Sequence, residues 1–195
     1  MNDANKDPQH NAKPHSMYYL AFVCPEQVDE KVRQFKLWMQ EMFGCKAALK
    51  SPAHITLIPP FWYDESVENI LLDLISSFHS DLEKLEIQLQ GFSHFAKRVL
   101  FVNVLLNPGL NEIRRQTLLH FKKSLGDIIK EETRPFTPHI TIANRDLKPA
   151  DFDKAWAHFM NRKFQVVFET QQISLLKLSR EKWNIIAVDK WKKLQ

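Results

Sequence analysis

Two histidines and two threonines form the pattern in this chain with the clearest chemical meaning. The strings His54-Ile55-Thr56-Leu57 and His139-Ile140-Thr141-Ile142 follow one pattern, and each is preceded within two residues by a proline, Pro52 or Pro138. Side chains alternate along an extended strand. His54 and Thr56 therefore share one face, and Ile55 and Leu57 the other; the second string divides in the same way. If the two polar faces meet, they make a site of two imidazoles and two hydroxyls. Imidazoles that titrate near pH ~6.5 can be held one neutral and one protonated. The neutral ring takes a proton from an attacking water or hydroxyl. The protonated ring gives one to a departing oxygen, and each transfer is worth roughly 10²–10⁴-fold. Threonine hydroxyls can hydrogen-bond the non-bridging oxygens of a phosphate. Such a set suits phosphodiester chemistry without a metal. It suits a 2′,3′-cyclic phosphate especially, because ring strain favours opening. Zinc would call for a third His, Cys or carboxylate at ligand spacing, which the strings do not supply.

The elements that must position these residues repeat as well. An apolar strand is expected at Tyr18–Cys24, and Pro25 opens a helix that runs to about Phe43. Val28, Val32, Phe35, Trp38, Met39 and Met42 give that helix an apolar stripe, and Gly44 stops it. A strand at 53–58 carries the first string. A helix at about 64–79 and strands at 85–92 and 99–106 follow. There the pattern restarts: "VLFVNVLLNPGLNEIRRQ" resembles "YYLAFVCPEQVDEKVRQ" in its apolar strand, proline, and helix with a basic-Gln pair. The second such helix spans about 109–130 and leads to the second string on a strand at 138–143. Pro25 to His54 is 29 residues and Pro108 to His139 is 31, near-equal spacing that marks an internal duplication. A helix at 149–160 and strands at 164–169, 171–178 and 183–189 close the chain. The expected fold is α+β, with two pseudo-symmetric lobes. Each lobe is an antiparallel sheet flanked by helices, with the site in the cleft between them. Neither half would be stable alone, since each would leave one sheet face open.

Composition narrows the class. The 195 residues are 44% hydrophobic and 26% charged, as in ordinary soluble globular chains. Only 4 glycines argue against glycine-rich phosphate loops. No run reaches the ~18 apolar residues of a membrane span. Residues 1–16 are polar and lack an apolar signal core, so they read as a disordered tail, with one bilobal domain over 17–195. Cys24 and Cys45 form neither a disulfide framework nor a C-x-x-C pair, which points to a reducing, cytoplasmic setting. The net charge of +4 leans toward anionic partners such as RNA or nucleotides.

The two H-h-T-h strings, set in matched strand–helix–strand units, resemble the two-histidine (2H) phosphoesterase superfamily. The chain is most similar to its branch of 2′-5′ RNA ligase-like proteins and RNA 2′,3′-cyclic phosphodiesterases, over about 18–190. The resemblance implies that His54 and His139 act as acid and base and that Thr56 and Thr141 bind the phosphate. It also implies that no metal or other cofactor is needed. For hydrolysis to a 2′-phosphate it implies His54 as the acid and His139 as the base. Relatives often carry an arginine just after the second motif; here Arg145 stands four residues past Thr141.

Other residues carry weaker signals. Phe61 and Trp62, in the stretch "PPFWY" after the first string, and Phe136 before the second could stack on a base. Core packing is the plainer reading of all three. Lys97, Arg98 and Arg134 are candidate phosphate contacts or plain surface charges. His79, His94, His120 and His158 lack a repeated context and read as packing or surface residues. The expected function is a metal-independent phosphodiesterase on cyclic phosphate or 2′-5′-linked RNA ends or nucleotides, monomeric and away from the membrane, with ligation as the reverse reaction. The alternatives are a module that binds RNA ends or nucleotides without turnover, and an enzyme for a small cyclic phosphate metabolite.

Overall fold

A computed structural model describes residues 14–130 and 133–193. In chain order the strands and helices are β1 (His15–Val23), α1 (Glu26–Phe43), β2 (His54–Asp64), α2 (Glu68–Ser76), β3 (His79–Ser80), β4 (Leu85–Phe95), β5 (Val99–Val104), α3 (Pro108–Leu125), β6 (His139–Ala143), α4 (Pro149–Phe159), β7 (Gln165–Thr170), β8 (Gln172–Ser179), β9 (Lys182–Lys190) and β10 (Lys192–Lys193). A short 3₁₀ turn at Ala47–Lys50 precedes β2.

Two four-stranded antiparallel sheets result, in the orders β2-β1-β8-β9 and β6-β5-β4-β7. The expected α+β architecture, two antiparallel sheets flanked by helices, is what the chain forms. In both sheets the motif strand lies at an edge, next to the strand that begins its repeat. The two edges, β2 and β6, lie against one another. The inward residues Ile55, Leu57, Ile140 and Ile142 are all buried in one core that runs through both halves.

The helices are exchanged between the halves. Helix α1 packs on β6 of the other repeat, and α3 packs on β2. Phe35 of α1 meets Phe92 of β4, Phe159 of α4 and Phe164 edge-on, with ring centroids 5.1, 6.0 and 5.2 Å apart. Aromatic pairs of this geometry add about 1 kcal/mol each beyond the area they bury. A duplicated unit that lends its helix to the other sheet has no complete core of its own. Gly44 ends α1 in the left-handed region (φ 71°), donating its N–H to Gln40 O, a conformation that L side chains adopt at a cost.

Several boundaries differ from the expectation: α2 is shorter than 64–79, α3 ends at Leu125 and not at 130, and β4 runs on to Phe95, while two further differences concern the first sheet. Strand β2 continues past 58 through Pro59 and Pro60 to Asp64. Proline has no N–H to give a ladder, but on an edge strand none is needed on the open side. The register shifts between Tyr18 and Leu20, where the prolines intervene. The longer β2 gives β1 more partner: Ser16 pairs with Tyr63, and its hydroxyl bonds the Glu65 carboxylate. Strand β1 therefore takes in His15 and Ser16, which composition alone assigns to the tail; residues 1–13 of that tail lie outside the described residues. No helix among the described residues is long and apolar enough to cross a membrane.

Candidate active site

The loop that delivers His54 is held from three sides. Asp29 of α1 accepts the Ala53 N–H at 2.5 Å, and Lys36 of α1 donates to Ser51 O at 2.9 Å. The Ala53 carbonyl accepts from Cys24 N at 2.9 Å. His54 Nδ1 then lies 2.7 Å from Pro52 O, where only a protonated Nδ1 can bond. His139 repeats the arrangement, with Nδ1 2.7 Å from Thr137 O. Spending Nδ1–H on the carbonyl two residues back leaves Nε2 of each ring as the nitrogen free for proton transfer. Both histidines and both motif threonines are half-buried, while the isoleucines between them are fully buried, as strand alternation requires.

Register extends each motif into a row. Thr56, Ala21 and Ser174 are cross-strand neighbours, and so are Thr141, Phe101 and Ser93. Each motif threonine thus has a serine hydroxyl two strands away on its own face. The ring of Tyr19 lies 4.9 Å from that of His54, and Trp183 meets Tyr19 edge-on at 4.5 Å. On the other side, Phe95 and Phe101 lie 4.9 and 5.0 Å from His139. Both imidazoles are therefore walled by aromatic rings.

That surrounding lowers the basicity of both. Burial first, then the Lys36 ammonium and the charge of His139, brings His54 down to about 4. The His139 ring also titrates below its ordinary range, with burial as the cause, opposed by its bond to Thr137 O. That the charge of His139 reaches His54 agrees with the meeting of β2 and β6. Lys36 itself is 3% exposed, and burial draws its ammonium down to about 8.

The remaining sequence candidates are placed apart. Phe61 is 7% exposed and packs beside Tyr18 in the core, which burial of an aromatic on this face of β2 requires. Trp62 is 59% exposed but pairs with Met17, at the far end of β2 from His54. Phe136 is half-buried with the Arg114 guanidinium 4.5 Å over its ring, so its face is covered. Arg145 is exposed in the turn after β6. Next to it, the Asp146 carboxylate accepts the Lys46 and Ala47 N–H groups at 2.5 and 2.7 Å and ties the end of β6 to the turn before β2. His158 stacks on Trp38 at 3.7 Å, and His94 and His120 pack against aromatic rings. Lys97 pairs with Asp153 at 2.8 Å. Cys24 and Cys45 are buried thiols. Among the described residues no three His, Cys, Asp or Glu side chains group as a metal site would require.

Sequence reasoning missed Asp29, Lys36, Tyr19 and Phe95. Lys36 had a signal: it stands four residues after Val32 and three before Met39, a charge within an apolar stripe.

Comparison with known proteins agrees with this architecture. The chain is similar in fold to TT0787 of Thermus thermophilus, with a TM-score of 0.63 at 17% identity over 90% of this chain and 98% of that one. It is likewise similar to LigT of E. coli solved with 3′-AMP, at TM-score 0.60 and 15% identity over 91% and 98% of the two chains. In sequence it is 27% identical over 135 residues to OB1230 of Oceanobacillus iheyensis, whose name assigns it to the phosphoesterases, covering 69% of this chain and 76% of that protein. The profile of the 2′-5′ RNA ligase superfamily matches residues 24–182, and the chain belongs to that superfamily, as an enzyme of the phosphoesterase kind.

Proposed function

We propose that the protein is a phosphodiesterase that opens 2′,3′-cyclic phosphates at RNA ends or on nucleotides, using His54 and His139 as paired general acid and base. The observation that carries this reading is the matched setting of the two histidines. Each is fixed through Nδ1 by the carbonyl two residues back, each is followed two residues on by a threonine, and the two lie on strands that meet. Water attacks phosphorus while one Nε2 takes its proton. The P–O3′ bond breaks as the other Nε2–H protonates the leaving oxygen, and the product is a 2′-phosphate. Thr56 and Thr141 hydrogen-bond the non-bridging oxygens, whose charge grows in the transition state. With a 5′-hydroxyl in place of water the same opening of P–O3′ joins a 2′-5′ linkage, and run backwards, with the roles exchanged, the same groups close the ring. No step draws on a metal. LigT, similar in fold, has been solved with 3′-AMP, NADP⁺, ATP and phosphate, which supports a nucleotide-sized anionic ligand here.

The resting charges bear on which ring is acid. The Lys36 charge and burial both oppose a proton on His54, so the free protein disfavours His54 as the protonated ring. The family resemblance implies the opposite order, so the phosphate must supply the difference if that order holds.

The test is turnover of adenosine 2′,3′-cyclic phosphate and of a cyclic-ended oligoribonucleotide in EDTA, with the product identified as 2′- or 3′-phosphate. Metal-independent release of a 2′-phosphate is expected. Affinity without turnover on every cyclic and 2′-5′ substrate would select the binding-module reading instead.

A further inference from the structure

Beside His54 lies a pocket of about 280 Å³ whose walls include Arg33, Lys36, Lys50, Ser51, Lys182 and Trp183. It shares the Ser51–Pro52 segment with the histidine: Pro52 lines the pocket, and its carbonyl holds His54 Nδ1 at 2.7 Å. Four cationic side chains face a single carboxylate there, Asp29, and Asp29 is already engaged by the Ala53 N–H. Lys50 is paired at 3.1 Å with the exposed Glu181.

Lys36 is the telling member. Its side chain is 3% exposed, yet its ammonium makes one hydrogen bond, to Ser51 O, and among the described residues no carboxylate is ion-paired with it. An ammonium carries three donors. Buried charges are paired, because leaving one unpaired is costly. A protein that keeps such a group on the wall of an open pocket, with further cations at the rim, has built a place for an anion. The second repeat offers no equivalent: aligning the basic-Gln pairs Arg33-Gln34 and Arg115-Gln116 puts Leu118 of α3, an apolar side chain, where Lys36 stands in α1.

Position then names the anion. A cyclic-ended nucleotide has covalent neighbours only through its 5′ oxygen. We propose that this pocket is a second phosphate subsite, which holds the 5′ phosphate of a cyclic-ended nucleotide or RNA while the cyclic phosphate lies between His54 and His139. This deepens the phosphodiesterase reading and rests on it. Trp183, half-buried at the pocket wall and in contact with Tyr19, offers its ring to the preceding base. The lowered basicity of Lys36 agrees, since an arriving phosphate would restore it.

Binding tests the subsite without relying on turnover. Adenosine 3′,5′-bisphosphate and adenosine 3′-monophosphate differ only in the 5′ phosphate, and calorimetry gives the affinity of each. The wild type is expected to bind the bisphosphate at least about tenfold more tightly, the worth of one charge-assisted phosphate contact. Lys36→Met, checked by circular dichroism and melting, should narrow that ratio to about twofold or less. The rim variant Arg33→Ser/Lys182→Ser should narrow it part of the way. In Thr56→Val/Thr141→Val both ligands should weaken while the ratio survives. Equal affinities in the wild type overturn the proposal. So does a ratio that persists in both the Lys36 and the rim variants, or one that collapses only in the threonine variant. Failure of the phosphodiesterase reading would show separately, as no turnover of adenosine 2′,3′-cyclic phosphate.

Discussion

Replacing Lys36 with methionine removes a charge that the fold holds at a cost. Burial draws this ammonium from its ordinary value of 10.5 to about 8, a difference that converts to about 3 kcal/mol. The sign follows from linkage. Below the folded value both the native and the unfolded chain carry the proton, and the penalty is present in full. Between that value and 10.5 the unfolded chain binds more protons than the native one, so stability rises with pH and the penalty is relieved. Methionine fills a similar volume without the charge but leaves Ser51 O without its donor, a loss of about 1 kcal/mol. Lys36→Met should therefore be more stable than the wild type at pH 7 by about 1–2 kcal/mol, which for a chain of this size is about 3–6 °C in Tm. The assay is thermal melting of both proteins at pH 7 and pH 10, read as the difference at each pH. By pH 10, as wild-type Lys36 deprotonates, the difference should shift by roughly 2–3 kcal/mol toward the wild type, so that the variant is no longer the more stable protein. A variant less stable than the wild type at pH 7, or a difference that does not change with pH, would refute the reasoning. A stabilising substitution beside the site is what a binding group held at a cost produces.

Two further outcomes follow from the same loop. Asp29→Ala frees the Ala53 N–H and loosens the segment that delivers His54; it should cost about 1–3 kcal/mol in a melt and lower kcat by about 10²-fold, as misplacement by an ångström does elsewhere. In the free protein both histidines titrate below 6.5, so the state with one ring charged is most populated on the acid side of that value. The bell of kcat/KM against pH should peak below about 6.5, and Lys36→Met should move its acid limb upward, because the charge opposing a proton on His54 is gone. A peak above pH 7.5, or an acid limb that Lys36→Met leaves in place, contradicts this.

How much could be read from the residues varies with the physics involved. The two strings and their restarting strand–proline–helix context located both motif strands, since period-two alternation and the Pro25 and Gly44 helix signals are local. The extension of β2 through Pro59 and Pro60 was not legible, because a proline is acceptable in a strand only at an edge and edge position is a property of the sheet. For the same reason Phe61 and Trp62 looked like base-stacking candidates, while one is core and the other lies far along β2. The exchange of α1 and α3 between halves is long-range packing that no local pattern encodes. Tyr19, Phe95 and Phe101 reach the histidines through cross-strand register, which a single strand's sequence does not specify. Lys36 was visible in the stripe of α1, but its meaning depends on the Ser51 loop that folds back over it.

The central claim is that His54 and His139 together perform the proton transfers. The most direct measurement is steady-state turnover of adenosine 2′,3′-cyclic phosphate in EDTA by the wild type, His54→Ala, His139→Ala and the double variant. Each single variant should lose about 10²–10⁴-fold or more in kcat, and the double should lose little beyond the worse single, as groups acting as one unit do. A single variant that keeps the wild-type rate contradicts the account.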